Sequence, residues 1–460
     1  MTQLNISLPP PKDSPDFDGW MVQVAQYLRD YLGLYDSATP TTATQAEMEA
    51  GTVSSIRKMT PIGVRQAIDY NQSVVDLRRF GVVGNGTTDD SGAINDAIDF
   101  IRSENASANP HRMNVISCAP YATYLVEDSI NMTQLQYVNV LVEGNNSTLV
   151  GKCSNYPVID MLGSNFIKIR NLIINGDTTN RPSDGILYGR GISGTDAQEN
   201  FFENIFFYGN YTNSCMSNLG SEISTLIKCH LQNGYVGGPC YVADARNTRH
   251  ITSQFFTVTL AEDTLASLND NLFLNCTFEQ IGTSGGPAVV LKGTTNRFKF
   301  DSCYAQHHDD TNALCGCFLL EYDHNSLHID CHCEPPTTSV RNVVLQTSSA
   351  AMTLRDFFLR EYYAFGTGQV INNNYTTAAN FISSKIVVMG AHANIPVFGA
   401  TGVINYHGEI CIGDNAYLAN FSNLNSLRGI VHSGIATASH TWPSTKSLIL
   451  NSSVNGVSTI

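Results

Sequence analysis

Between residues 115 and 375 the chain repeats a short polar and apolar pattern. The units are IKIRNLIING (167–176), FFENIFFYG (201–209), TLIKCHLQNG (225–234), HITSQFFTVT (250–259), NLFLNCTFEQIG (271–282), FKFDSCYAQHH (298–308), LHIDCHCEP (327–335) and TLRDFFLREYY (353–363). Each has two apolar positions, a polar turn residue, then two more apolar positions. The turn residues assigned from this pattern are Asn171, Asn204, Lys228, Gln254, Asn275, Asp301, Asp330 and Asp356, spaced 21 to 33 residues apart. That spacing suits one coil of a β-solenoid, in which each unit buries its apolar face only by stacking on its neighbours. Side chains alternate after the turn, so the first and third residues point inward and the second and fourth outward.

The flanks read differently. DFDGWMVQVAQYLRDYLGL (16–34) places Trp20, Val24, Tyr27, Leu28 and Tyr31 at helical spacing. After a Thr/Pro linker, short helices are predicted around Ala46–Ala50 and from Pro61 to Ile68. At Val75 the text becomes strand, Gly-rich loop, then a helix with Ile94, Ile98 and Ile101 on one face, capped by Thr88, Asp89 or Asp90. Beyond residue 380 the repeat is lost, although KIVVM and SLILN still read as strands. A solenoid end needs a cap over its apolar cross-section. The expected organisation is therefore 1–70 as an N-terminal attachment region, 71–110 as opening strand and capping helix, 111–379 as the solenoid, and 380–460 as a small β-rich C-terminal domain.

Composition narrows the partners. Only 14% of residues are charged and the net charge is −14. Phosphate binding needs clustered Lys and Arg, so nucleic acid is not an expected partner. The opening MTQLNISLPPPKDS has neither a basic nor an apolar region, and no apolar stretch reaches the ~18 residues of a membrane span. The expectation is synthesis in a reducing cytosol, with the 12 cysteines free rather than paired. Cys229, Cys276 and Cys331 follow their turn residues directly, and Cys303 follows after a one-residue offset, so the four should form one internal column. A metal site with His307, His308, His328 and His332 is the sharper alternative. The C-x-C spacing of Cys331 and Cys333 fits strand alternation better than a zinc knuckle.

Two segments carry resemblances. DLRRFGVVGNGTTDDSGAINDAID (76–99) resembles the opening motif of pectate-lyase-superfamily right-handed parallel β-helices, matching at Asp76, Phe80, Gly81, Gly84, Gly86, Thr88, Asp89, Asp90, Ala93, Ile94, Ala97 and Ile98. Asn85 stands where that pattern often has Asp. Residues 44–68 resemble a segment common in phage tail fibres and tailspikes, matching at Ala46, Glu47, Ala50, Gly51, Thr52, Met59, Thr60, Pro61 and Ala67-Ile68. The resemblance implies an all-β right-handed parallel β-helix and a homotrimer. It implies virion-tail attachment through 1–70 to a tail, baseplate or adaptor protein, and a bacterial surface glycan as ligand. No cofactor is implied.

Such proteins either cleave or only bind their glycan. Cleavage by hydrolysis needs two carboxyls at ~5 Å or ~6.5–9.5 Å, and lyase chemistry needs a positioned base. The outward column predicted from the repeat reads Ile173/Asn175, His230/Gln232, Thr277/Glu279, Tyr304/Gln306, His332/Glu334 and Arg360/Glu361. It places Glu279 and Glu334 on one face two coils apart, a candidate catalytic pair. Tyr304, Gln306 and His332 are the candidate substrate-binding residues. His308 and Asp310, on a loop leaving the same coil, are a second candidate acid/base set, and Glu321 and Asp323 can join from a neighbouring face. Asp301, Asp330 and Asp356 should stack as carboxylates, raising the pKa of at least one. Tyr406, His407, His440 and Trp442 are further possible sugar contacts. A solvated polar face is the plain alternative for all of these. A non-enzymatic adhesin and a structural tail or baseplate component are the alternative functions.

Overall fold

The structure is a computed structural model. It describes residues 74–107, 113–136, 138–191, 197–235, 239–256, 258–260, 268–280, 287–307, 316–334, 341–345, 351–362, 369–373, 378–400, 403–419, 424–433 and 447–450. The chain divides into two units between Val74 and Val75. The expected helices of 1–70, Trp20, His308, Asp310, His440 and Trp442 lie outside the described residues.

From Val75 onward the chain is an all-β parallel solenoid. Each coil contributes to three sheets. The first sheet stacks the leading halves of Ile167–Gly176 and Phe201–Gly209, then Thr225–Ile227, Arg249–Ile251 and Leu272–Leu274, all paired parallel. It continues into Thr295–His307 and His324–Glu334. The second sheet stacks the trailing halves of the same long strands with His230–Leu231, Gln254–Phe256 and Thr277–Gln280. The third runs through Asp184–Gly189, Ser214–Glu222, Tyr241–Arg246, Val258–Leu260, Val289–Leu291 and Phe318–Leu320. All eight units predicted from the repeat are successive coils.

The turns require left-handed backbone. Between first and second sheets this falls on Asn171, Asn204, Lys228, Thr252, Asn275 and Ser302, with φ between 48° and 55°. Asn tolerates that region best, because its short amide can bond locally. Asn204 donates to Asn171 at 2.9 Å, and Asn171 donates to Glu143 at 2.9 Å. Four predicted turn positions need correction. The turn is at Thr252 rather than Gln254, and at Ser302 rather than Asp301. Asp330 has no left-handed backbone and pairs with Arg360. Asp356 does turn (φ 49°), but at the corner between third and first sheets, continuing a column through Asp270, Arg297 and Ser326. Sequence spacing cannot separate two corners of one coil when both carry polar residues.

The core follows the register. Phe273 stacks on Phe300 with centroids 4.9 Å apart, Phe255 on Phe278 at 5.4 Å, and His250 takes a ring position in the same column, 4.1 Å from Phe273. Cys229, Cys276, Cys303 and Cys331 are buried free thiols, and Cys303 pairs in register with Cys331. The predicted one-residue offset is a bulge between Phe300 and Cys303. Burial pushes the Cys276 and Cys331 thiols well up. These cysteines point into the core while His328 and His332 reach the surface. Among the described residues no three His, Cys, Asp or Glu side chains are grouped to hold a metal.

Helix α1 (Ser91–Ser107) lies at the N-terminal end and buries Ile94, Ile98 and Ile101 as expected. Asp90 precedes it, and its carbonyl accepts the first helical bond from Ile94. Its buried carboxylate turns back to accept the amides of Val83 and Gly84 at 2.7 and 3.1 Å. Asp89 accepts from the Ser91 amide instead. The double Asp thus fixes both the helix start and the preceding loop.

The boundary expected at residue 379 is not an end of the ladder. Ala379–Ala400 pairs parallel with Phe358–Glu361 before it and Ile404–Ala419 after it, and the pairing continues through Leu424–Ser433 to Ser447–Leu450. The repeat signature fades there although the parallel pairing does not stop. Tyr406 is a core residue at 1% exposure, packed on Phe381 and Phe398, and not a sugar contact; its neighbour His407 is exposed.

Candidate functional site

The outer face of the second sheet carries two rows of side chains in strict register. One row runs Ile173, Phe206, His230, Gln254, Thr277, Tyr304 and His332. Tyr362 follows in the next coil, because its neighbour Glu361 pairs with Cys331. The second row contains Phe256, Glu279, Gln306 and Glu334 as consecutive partners. The predicted alignment of Glu279 with Glu334 therefore holds, with Gln306 between them. Two coil steps of ~4.8 Å separate their backbones by about 10 Å.

Hydrogen bonds along the solenoid axis tie these side chains together. The ring Nδ1 of His230 and Gln254 Oε1 are 2.9 Å apart, and Gln254 Nε2 donates to Glu279 Oε1 at 2.9 Å. The Tyr304 hydroxyl donates to Glu334. Burial, with this bond and the charge of Glu334, raises the phenol's pKa. The rings form a discontinuous platform. His230 lies between Phe206 at 5.7 Å and Phe256 at 5.0 Å, and Tyr304 is 5.8 Å from His332. Phe206 and Tyr362 are 43% and 40% exposed.

Glu361 requires correction. It was expected outward beside Arg360, yet it is fully buried. Its Oε1 accepts from the Cys333 amide at 3.4 Å and lies 3.9 Å from His332 Nδ1. Alternation places it inward, two residues after the buried Leu359, so the outward assignment beside Arg360 broke the period of two.

The stacked carboxylates are resolved by cations. Lys299 lies 2.6 Å from Asp301, and its hydrogen bond lowers the Asp301 carboxyl. Arg360 Nη1 donates to Asp330 at 3.1 Å. Asp356 stands in the other corner and joins neither. Glu321 and Asp323 lie at the turn between third and first sheets, where Asp323 accepts from the Thr353 amide at 2.6 Å, and they do not join the outward rows. His308 and Asp310 fall outside the described residues.

No protein-family model matches the chain. No curated protein matches it either. Solved structures similar to it include ORF18 of Geobacillus virus E2, at 15% identity and TM-score 0.45. The match covers 76% of this chain and 64% of that one, so the chain spans less than two thirds of the viral protein's length. The Dettilon tailspike protein is 12% identical over 85% of this chain and 73% of its own, with TM-score 0.43. PfbA, a surface adhesin of Streptococcus pneumoniae, is 12% identical over 76% and 93%, with TM-score 0.41.

Proposed function

We propose that this chain is the host-recognition component of a phage tail and binds a bacterial surface glycan along the outward rows of the second sheet. The observation that carries this reading is the register. Rings at Phe206, His230, Tyr304 and His332 share one continuous face with hydrogen-bonding groups at Gln254, Glu279, Gln306 and Glu334. Rings offer apolar surface to sugar faces, and amides and carboxylates meet sugar hydroxyls. The phage assignment rests on the resemblance of residues 44–68. A homotrimer and attachment to a tail or adaptor protein through residues 1–70 belong to the same reading.

The test is direct. Purified full-length protein binds host cells, and the double variant Tyr304→Ala/His332→Ala weakens binding at least tenfold, roughly the loss expected of central contacts. Unchanged binding by this variant, folded by circular dichroism, rejects the site.

A second reading is that the face also cleaves the glycan, as hydrolase or lyase. Glu279 and Glu334 on one row favour hydrolysis. A halo on a host lawn with new reducing ends establishes it, and binding to intact glycan without release leaves a pure adhesin.

A further inference from the structure

The charge of these rows points to a narrower ligand class. We infer that the face selects polysaccharide stretches whose bound sugars carry no carboxylate or phosphate. This inference rests on the glycan-binding reading above and goes on to specify the ligand's chemistry.

Three observations support it. First, Glu279 and Glu334 both act as acceptors within the protein, from Gln254 and from Tyr304. A carboxylate has two oxygens with several acceptor sites, so each keeps capacity for a further donor. Sugar hydroxyls are such donors; an acidic sugar's carboxylate is not. Second, among the described residues of the two rows there is no Lys or Arg. Two of the neighbouring cations are engaged, Lys299 with Asp301 and Arg360 with Asp330, while Lys228 stands at the corner before His230 rather than in the rows. Recognition of uronates or phosphates generally uses Arg or Lys in a fork or point contact. Third, the whole chain carries −14. A field of that sign slows the approach of a polyanion and does not hinder an uncharged polymer.

The pair also lies along the axis. A ligand that spans Glu279 and Glu334 crosses Gln306, whose amide both donates and accepts. Uncharged sugars satisfy all three groups with hydroxyls, whereas one acidic unit at any of the three positions meets a carboxylate within one or two coil steps. Like charges so placed disfavour the wrong ligand more than they help the right one.

The experiment uses the full chain and a panel of purified bacterial polysaccharides, divided into uncharged and uronate-bearing repeats. Affinity is measured at low and physiological salt. The expected tight binders are uncharged, with affinity nearly independent of salt. Glu279→Gln/Glu334→Gln, which keeps side-chain shape, should raise affinity for uronate-bearing polymers at least about tenfold by removing repulsion. Phe206→Ala and Tyr304→Ala serve as the site control. A uronate-bearing binder weakened by Phe206→Ala and Tyr304→Ala overturns the charge inference while keeping the site. Binding of any polymer that none of these variants alters overturns the site itself, and the charge inference with it. Failure of the whole panel and of host cells to bind does the same.

Discussion

Gln306 stands between Glu279 and Glu334 on one outward row, paired with Glu279 in the coil before it and with Glu334 in the coil after it. Their backbones lie about 10 Å apart, close to the separation typical of inverting pairs and well beyond that of retaining ones. Cleavage by this pair therefore yields product of inverted anomeric configuration, read by proton NMR in the first minutes of reaction. Glu279→Gln and Glu334→Gln each lower turnover by about 100-fold or more, while binding changes far less. Retention of configuration, or full turnover in either variant, removes the pair from catalysis.

Acid should loosen the solenoid through His250 and His324. Both are fully buried, and burial lowers each from the ordinary 6.5 to about 3. Nδ1 of His250 and Nε2 of His324 have no partner in the described structure. The native state thus holds both neutral, while the unfolded chain takes up protons below pH 6.5. Stability is full above that value and falls toward pH 3, by about 1.4 kcal/mol per unit for each ring. Denaturant midpoints between pH 7 and 5 measure the slope. His250→Phe, which suits a ring position beside Phe273, should flatten it; an unchanged slope in His250→Phe assigns acid sensitivity elsewhere.

The aromatic column predicts a large local cost. Phe273 is fully buried and stacks on both His250 and Phe300. Phe273→Ala removes those contacts and leaves a cavity, costing about 3–5 kcal/mol. Thermal unfolding followed by circular dichroism reports it. A loss under about 1 kcal/mol would mean that neighbouring coils collapse into the space.

Asp90 is expected to matter more than a surface helix cap. Its carboxylate is buried and satisfies the Val83 and Gly84 amides. Asp90→Ala leaves these donors unpaired, costing about 1–3 kcal/mol. Hydrogen exchange should speed at Val83 and Gly84 while the amides of Phe300 and Ile329 stay protected. Equal protection throughout the variant would show that water replaces the carboxylate at no cost.

The amino-acid pattern alone determined the repeating coil, α1 with its buried isoleucine face, the inward cysteines and the shared row of Glu279 and Glu334. These follow from local periodicity: strand side chains alternate by two and helix side chains by 3.6, so apolar spacing states which face is buried. The tertiary structure decided which corner each turn residue occupies. Asp356 and Asp301 look alike in sequence, and only pairing with Ser326 or alignment beside Asp330 separates them. It also decided that Glu361 lies close to His332, that Arg360 reaches Asp330 from the next coil, and that parallel pairing continues past residue 379. Those outcomes depend on contacts between residues about 25–30 positions apart, and which partner each residue meets is set by the register of stacked coils, not by local alternation.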